Sequence, residues 1–238
     1  MVLAVFGCTP RYKGDVDRVL AAHAAGRRQV AAPVDLEPQS WKVGQWALYK
    51  TSQNGNVGYE KRSIVAETAC GIWFEVLEES YKHRSVSKVC FRTMPDVTGD
   101  PGADARQVEL VQIIVLQRDD RPAIVMDFRD GKNARMWALV FEVAGAVAPA
   151  LSSLQWRGKT NLPREDLDVP AGHFAQTARL SATVTAGAKA IEVTGWVHPD
   201  VPLHGTVKFH TSDGTDVALL GYGQEGATSA LPNEPLKP

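Results

Sequence analysis

The feature that most constrains the fold is the alternation of apolar and polar residues between Asp166 and Tyr222. Pro, Gly and Asp divide the alternating run into short pieces, for example at His198-Pro199-Asp200 and at Asp213-Gly214. Alternation puts successive side chains on opposite faces of a strand, and the dividing residues favour tight turns. The stretch 168–226 therefore predicts successive antiparallel strands that complete a sheet begun earlier in the chain.

Antiparallel strands are also predicted in the first half of the chain. Aromatic and β-branched residues dominate the segment 41–50, and Asn54-Gly55 is the dipeptide most typical of a two-residue hairpin turn. A second hairpin is predicted between Cys70 and Cys90, with its turn at 80–83. Together these signals predict a four-stranded meander.

The segment 108–128 allows two interpretations. Its β-branched residues and the turn signal at Asp119-Asp120-Arg121-Pro122 predict one more hairpin. A helix also fits the spacing of Val108, Val111 and Val115. We expect the hairpin because β-branched residues favour strands.

A different period governs the segment near 133–156. Apolar residues recur there at every third or fourth position, which predicts an amphipathic helix against one face of the sheet. Pro149 breaks this helix or starts a second short one. The helix either simply covers the sheet or forms a lid over a ligand cavity. The apolar stripe consists of Met136, Val140, Val143, Val147, Leu151 and Leu154, with Trp137 and Phe141 alongside.

These segments predict one α+β domain. Its body, 41–226, is a curved antiparallel sheet packed against one or two helices. A tether and a short helix that Asp15 or Asp17 caps fill 9–40, and residues 227–238 form a disordered tail. A length of 238 residues suffices for a core of this kind.

Composition and missing motifs exclude several classes of function. The 26 basic and 27 acidic side chains leave a formal net charge of −1, so no bulk field favours nucleic acid. No apolar run reaches the roughly 18–20 residues that span a bilayer. A serine-nucleophile motif and a phosphate-loop motif are absent, and the literal G-x-G-x-x-G match at 221–226 lacks a βαβ unit. We expect neither a cofactor nor a nucleic-acid partner.

Cys8 resembles the lipidated cysteine of a bacterial lipoprotein signal peptide. Val5 and Gly7 fit the lipobox pattern, whereas Phe6 stands where a small residue is usual. The apolar stretch is short and lacks a basic region before it, which a start codon upstream of Met1 would supply. The alternative is an ordinary cytosolic N-terminus with a chance Gly-Cys pair.

Cys70 and Cys90 form a candidate disulfide. If the polar centre between them is a hairpin turn, they lie opposite each other across two strands, within bonding reach. The alternative is a pair of buried free thiols. One lipidated cysteine and one disulfide would use all three cysteines, which favours an oxidising compartment.

Three histidines are candidate metal ligands, because His198, His204 and His210 follow one another at six-residue intervals. Three imidazoles on neighbouring strands can bind one ion if their nitrogens converge on it. No compact ligand motif supports such a site, and the turn residues around His198 and His204 favour solvent-facing side chains.

Large aromatic rings are the candidates for a ligand groove. They either line a hydrophobic groove for an acyl chain or another apolar ligand, or fill the core between sheet and helix. The groove candidates are Trp46, Trp73, Trp137, Phe141 and Trp196.

Three motifs in 41–226 resemble those of uncharacterised bacterial envelope lipoproteins. They are Trp41-x-Val43-Gly44-x-Trp46-x-x-Tyr49, Val169-Pro170-Ala171-Gly172-x-Phe174, and Trp196 followed by Val201-Pro202-Leu203-x-Gly205-x-Val207-Lys208. The resemblance implies the curved half-barrel sheet of the periplasmic lipoprotein carriers, the LolA-like fold, which can hold acyl chains. The motifs are turn and strand signatures and assign no catalytic residue.

Together these observations predict a non-enzymatic envelope lipoprotein. It is anchored through Cys8, faces the periplasm and binds an apolar ligand or a partner protein. Thr9 replaces the aspartate that retains some lipoproteins at the inner membrane, so the outer membrane is favoured. The rival hypotheses are a metal-dependent hydrolase that uses the three histidines and a purely structural lipoprotein without a ligand cavity.

Overall fold

The computed structural model describes residues 11–24, 28–37, 39–91, 110–116, 123–127, 161–186 and 189–231. Within these ranges the chain forms one helix and a single sheet of twelve strands. The helix α1 is Lys13–Ala22. The strands are β1 Arg28–Val30, β2 Trp46–Gln53, β3 Asn56–Thr68, β4 Gly71–Ser80, β5 Arg84–Phe91, β6 Leu110–Leu116, β7 Ile124–Asp127, β8 Arg164–Val169, β9 Gly172–Ala186, β10 Lys189–Val197, β11 Thr206–Thr211 and β12 Thr215–Gly223.

The sheet joins the two halves of the chain. Its order is β1-β9-β10-β11-β12-β2-β3-β4-β5-β6-β7, and β8 pairs with β9 as well. Every neighbouring pair is antiparallel except β1 with β9. The prediction of a β-rich α+β chain with an antiparallel sheet is confirmed, and the C-terminal strands do complete the sheet through the pairing of β12 with β2.

Local turn chemistry explains the first meander. Asn54 and Gly55 have φ values of 50° and 77°, the left-handed geometry that a two-residue hairpin turn of type I′ requires. Gln53 pairs with Asn56 across this turn, and β3, β4 and β5 follow in sequence. The four-stranded meander is therefore confirmed. The hairpin at β6 and β7 is confirmed as well, so the alternative helix through Val111 and Val115 is wrong.

The helix α1 forms where it was predicted but without the predicted cap. It begins after Tyr12, and no side chain caps it. Asp15 lies in the first turn, where its charge suits the helix dipole, and it pairs with Arg18 at 2.8 Å. Asp17 instead accepts a 2.9 Å hydrogen bond from the Tyr81 hydroxyl, which helps to tie α1 to the sheet.

The main core lies on one face of the sheet. We call the face that carries Tyr49, Phe209 and Leu219 the inner face, and the opposite face the outer face. Each of these three side chains is completely buried, which contributes about 1.5–3 kcal/mol for a residue such as Leu or Phe. The core residues are Val30, Ala47, Tyr49, Ile64, Ala171, Phe174, Val201, Leu203, Val207, Phe209, Val217 and Leu219.

The Val169-Pro170-Ala171-Gly172 motif forms the turn between β8 and β9. The Ala171 N–H donates to the Leu219 carbonyl at 3.0 Å, which brings the turn against β12. Gly172 has a φ of 139°, and a Cβ at this position would overlap the carbonyl oxygen of Arg28 in β1. The motif is therefore explained by packing.

A disulfide joins Cys70 and Cys90, with their Cα atoms 6.5 Å apart. The predicted register was wrong, because Cys90 pairs with Trp73 while Cys70 lies in the turn before β4. Closing a 20-residue separation stabilises a fold by about 3 kcal/mol in the chain-entropy account.

Residues 227–231 pack on the outer face, so the prediction of a disordered tail from 227 onward is wrong for this part. Glu75 accepts the Ala230 N–H at 2.8 Å, and Lys88 donates to the Ser229 hydroxyl at 3.2 Å. Leu231 joins a second core with Trp73. The charged side chains of two paired strands thus hold a polar segment that composition alone marks as a tail.

Several predictions lie outside the described residues. They are the lipidation of Cys8, the helix near 133–156 with Trp137 and Phe141, and the tail beyond Leu231.

Candidate functional site

The three described tryptophans of the predicted groove lie on the outer face. Each is the chain neighbour of an inner-facing residue, so strand alternation turns it away from the main core. Trp46 and Trp196 lie on β2 and β10, three strands apart, which corresponds to about 14 Å. Trp73 belongs to the second core, around Cys90 and Leu231. The structure therefore does not bring these rings together in one groove.

Cations cover two of these rings. Lys61 lies 5.7 Å from the centre of the Trp46 ring, and Arg179 and Lys208 lie 5.9 and 5.4 Å from that of Trp196. Such contacts contribute about 0.5–1 kcal/mol at exposed sites. They account for both rings as parts of the folded surface.

The three histidines contact different residues, and the prediction of solvent-facing side chains is wrong for His198, which is buried. His198 is buried, its Nδ1 accepts the Asp200 N–H at 3.2 Å, and its Nε2 consequently donates to the Ala31 carbonyl at 3.1 Å. Burial lowers the pKa of His198, which keeps this neutral form. It ties the segment after β1 to the loop after β10.

His210 lies on the outer face and pairs with Asp216 at 2.9 Å, whereas His204 packs against Trp41 and Phe74. Within the described ranges, no group of three His, Cys, Asp or Glu side chains could hold a metal ion. The geometry therefore does not favour the hydrolase hypothesis.

A group of polar side chains lies on the inner face beside the main core. Tyr49 pairs with Glu60 across β2 and β3, and alternation places Arg62 on the same face. Glu78 pairs with Glu60 from β4. The Arg62 guanidinium lies 4.9 Å from the centre of the Tyr49 ring. We call Tyr49, Glu60, Arg62, Glu78 and His204 the Tyr49–Arg62 cluster.

The charged groups of this cluster are one cation, Arg62, and the carboxylates of Glu60 and Glu78. Arg62 forms an ion pair with Glu60, and the two side chains are only 5% and 11% exposed. Burial acts to lower the pKa of Arg62, but the nearby Glu60, Tyr49 and Glu78 outweigh it and raise the pKa, so the guanidinium stays charged. Glu78 is an exposed residue, but partial burial of its carboxylate raises its pKa, and the charge of Glu60 adds to this effect.

Tyr49 is a neutral donor in this setting. Burial raises its pKa to about 12, with Arg62 opposing and Glu60 adding to the shift. Its hydroxyl therefore keeps its proton at physiological pH. Glu78 also has a donor, since the Ser85 hydroxyl lies 3.5 Å from its carboxylate.

Two buried atoms of the cluster lack a hydrogen-bond partner among the described residues. They are Tyr49 Oη and Arg62 Nη1, which both belong to nearly inaccessible side chains. An unmade hydrogen bond on a buried polar group costs about 1–3 kcal/mol. Two such donors in contacting side chains point to a ligand that would accept from them.

Aromatic rings form the side of the cluster. Trp41 and Phe74 stack with ring centres 5.4 Å apart, and His204 meets both edge-on at 5.4 and 6.3 Å. Burial, together with the positive charge of Arg62, lowers the pKa of His204 to about 3. The imidazole is therefore neutral, and the cluster combines two donors with an apolar wall.

An open groove of about 340 Å³ lies elsewhere, against β9. Its lining is Leu162, Pro163, Arg179, Leu180 and Ser181. Arg179 is its only charged side chain and is already placed against Trp196. The groove thus lacks the convergent polar groups that define a specific site, and the Tyr49–Arg62 cluster is the stronger candidate.

Sequence reasoning missed this cluster, although one signal was present. Glu60 and Arg62 stand at alternate positions of β3 before the apolar Ile64, so strand alternation places all three side chains on the same face. Charged residues in phase with a core position indicate a buried polar site. The other partners, Glu78 and His204, come from distant parts of the chain.

The sequence matches no protein-family model and no curated protein. The described part of the chain contains no helix that is long and apolar enough to cross a membrane.

Proposed function

We propose that this protein is a non-enzymatic lipoprotein of the bacterial cell envelope that binds an apolar ligand, such as an acyl chain, on the inner face of its sheet. The observation that carries the proposal is the pair of buried donors on Tyr49 and Arg62, beside the rings of Trp41 and Phe74, for which the described part of the chain offers no hydrogen-bond partner. Binding sites for small ligands combine apolar walls with a few placed polar groups in this way.

The disulfide between Cys70 and Cys90 supports the proposed compartment. Disulfides persist in oxidising environments such as the periplasm and are rare in the cytosol. A lipid on Cys8 would hold the body at the membrane, and Thr9 favours the outer membrane over the inner one.

The proposed fold is the LolA-like half-barrel. Support comes from the continuous antiparallel sheet, with the short helix α1 before it and the main core on one face. In such a fold the inner face is where an acyl chain lies, which is the face that carries the Tyr49–Arg62 cluster.

Mass spectrometry of protein purified from bacterial membranes tests the anchor. We expect a diacylglyceryl group on an N-terminal Cys8 and no free thiol at Cys70 or Cys90. A Cys8→Ser variant serves as the control and should lose the membrane fraction. An unmodified Cys8 with Met1 retained, together with free Cys70 and Cys90, would overturn the envelope assignment.

Titration with the apolar fluorophore 1-N-phenylnaphthylamine tests the ligand site. We expect Trp41→Ala to weaken probe binding severalfold, because it removes one ring of the inner wall. The matched variant Trp196→Ala removes a ring from the outer face and should leave binding unchanged. Absence of probe binding to the native protein would favour a purely structural lipoprotein.

A further inference from the structure

We infer that the ligand carries a neutral carbonyl at its polar end, as an acyl ester does, and that Tyr49 Oη and Arg62 Nη1 donate hydrogen bonds to it. This inference rests on the proposed function, since it names the ligand class of the same inner-face site. It identifies Tyr49 and Arg62 as the residues that determine specificity.

The arrangement of the donors indicates an oxygen acceptor. Neither atom has a partner among the described residues. Arg62 Nη1 can only donate, because a guanidinium has no acceptor, and the Tyr49 hydroxyl keeps its proton and can therefore donate as well as accept. A carbonyl oxygen has two lone pairs and can accept from both donors at once. An alkane would leave both hydrogen bonds unmade, so the site should bind it more weakly than an ester.

The charges of the cluster select a neutral group over a carboxylate. Glu60 already neutralises Arg62 through an ion pair, and Glu78 lies beside Glu60 on the next strand. A free fatty acid would bring a further negative charge against the Glu60 carboxylate, whose side chain is only 11% exposed, so the repulsion there is poorly screened. The exposed Glu78 adds a weaker repulsion of the same sign. An ester adds no charge.

The neighbouring imidazole does not change this balance. His204 is neutral because burial and the charge of Arg62 lower its pKa. It contributes an apolar edge beside Trp41 and Phe74 rather than a second cation. Arg62 is thus the one cation among the members of the Tyr49–Arg62 cluster, and Glu60 is its counter-ion.

Displacement of 1-N-phenylnaphthylamine by three compounds of matched chain length tests the inference. The compounds are methyl dodecanoate, sodium dodecanoate and tridecane, each below its aggregation limit. For the native protein we expect methyl dodecanoate to bind about tenfold more tightly than the other two, as a buried hydrogen bond predicts. Tighter binding of sodium dodecanoate, or equal binding of all three, would overturn the inference.

The variant Tyr49→Phe removes one donor and keeps the ring. We expect it to weaken methyl dodecanoate binding about tenfold and to leave tridecane binding unchanged. Arg62→Lys should give the same selective loss while keeping the charge, and Tyr59→Phe on the outer face is the matched control. Unchanged ester binding in Tyr49→Phe contradicts the inference, whereas a native protein that binds neither fluorophore nor tridecane contradicts the proposed function itself.

Discussion

The buried ion pair of Glu60 and Arg62 gives a sharp prediction about stability. Replacing Arg62 by Met leaves the Glu60 carboxylate in a site where its side chain is only 11% exposed. Breaking a buried pair from one side costs about 3–5 kcal/mol, because the remaining charge is uncompensated. Glu60→Leu should lower the free energy of unfolding by a similar amount, since it removes the counter-ion of the Arg62 guanidinium.

The double variant Glu60→Leu with Arg62→Met should recover most of this loss. Removing both charges avoids their desolvation, and apolar replacements of buried pairs are often neutral or stabilising. We expect the free energy of unfolding of the double variant to lie within about 2 kcal/mol of that of the native protein. The double variant should bind methyl dodecanoate more weakly. The ion pair would then serve binding rather than stability.

Urea unfolding followed by tryptophan fluorescence measures the four free energies of this cycle. The exposed pair Asp15 and Arg18, whose side chains are 56% and 77% exposed, provides the control cycle. Its coupling should be below about 0.5 kcal/mol. A coupling between Glu60 and Arg62 as small as that of the control would refute the argument that the two charges are buried together.

Three further predictions concern the core, the disulfide and the C-terminal segment. His204 has a pKa of about 3 in the folded state against 6.5 when unfolded, so the free energy of unfolding should fall as pH drops from 6.5 towards 3, by about 1–2 kcal/mol at pH 5. The urea midpoint of His204→Phe should fall less than that of the native protein between pH 7.5 and pH 5. An equal fall in both proteins would contradict the lowered pKa of His204. Cys90→Ser should lower the free energy of unfolding by about 3 kcal/mol, and dithiothreitol should reproduce that loss in the native protein but not in the variant. Glu75→Ala should release residues 229–231, and hydrogen exchange at the Ala230 and Leu231 amides should then become faster. Unchanged exchange at these amides, or an equal acceleration at the Tyr49 amide, would show that Glu75 does not hold the segment.

Local signals made much of the sheet predictable. Asn54-Gly55 requires positive φ at both positions, so the first hairpin follows from two residues. The β-branched residues of 110–116 favoured a strand over a helix for the same local reason. Elements whose partners lie next in the chain need no further information.

Long-range pairing was beyond such signals. Nothing local shows that β12 pairs with β2, or that Leu231 returns to Trp73. The register of β4 and β5 also depends on where the turn begins, and in the observed register Cys90 lies opposite Trp73 rather than Cys70. In each case the partner is chosen by packing that only the complete fold defines.

The candidate site could not be predicted from the sequence because both faces of the sheet carry apolar residues. Trp46 shares its face with Leu48, which is 5% exposed, so a large ring next to buried residues was mistaken for part of an inner groove. The charged Glu60 and Arg62 were overlooked in a strand rich in polar residues. Their burial follows from contacts with β2, β4 and the loop that carries His204, all of which are set by tertiary structure.

Photocrosslinking with an acyl ester that carries a diazirine beside its carbonyl tests the central claim most directly. Tandem mass spectrometry of the full-length protein locates the modified residue. We predict labels on inner-facing residues around Tyr49, Arg62 and Phe74, and their loss when methyl dodecanoate competes. Labels on Trp46 or Trp196 of the outer face, or labelling that methyl dodecanoate does not reduce, would contradict a ligand site on the inner face.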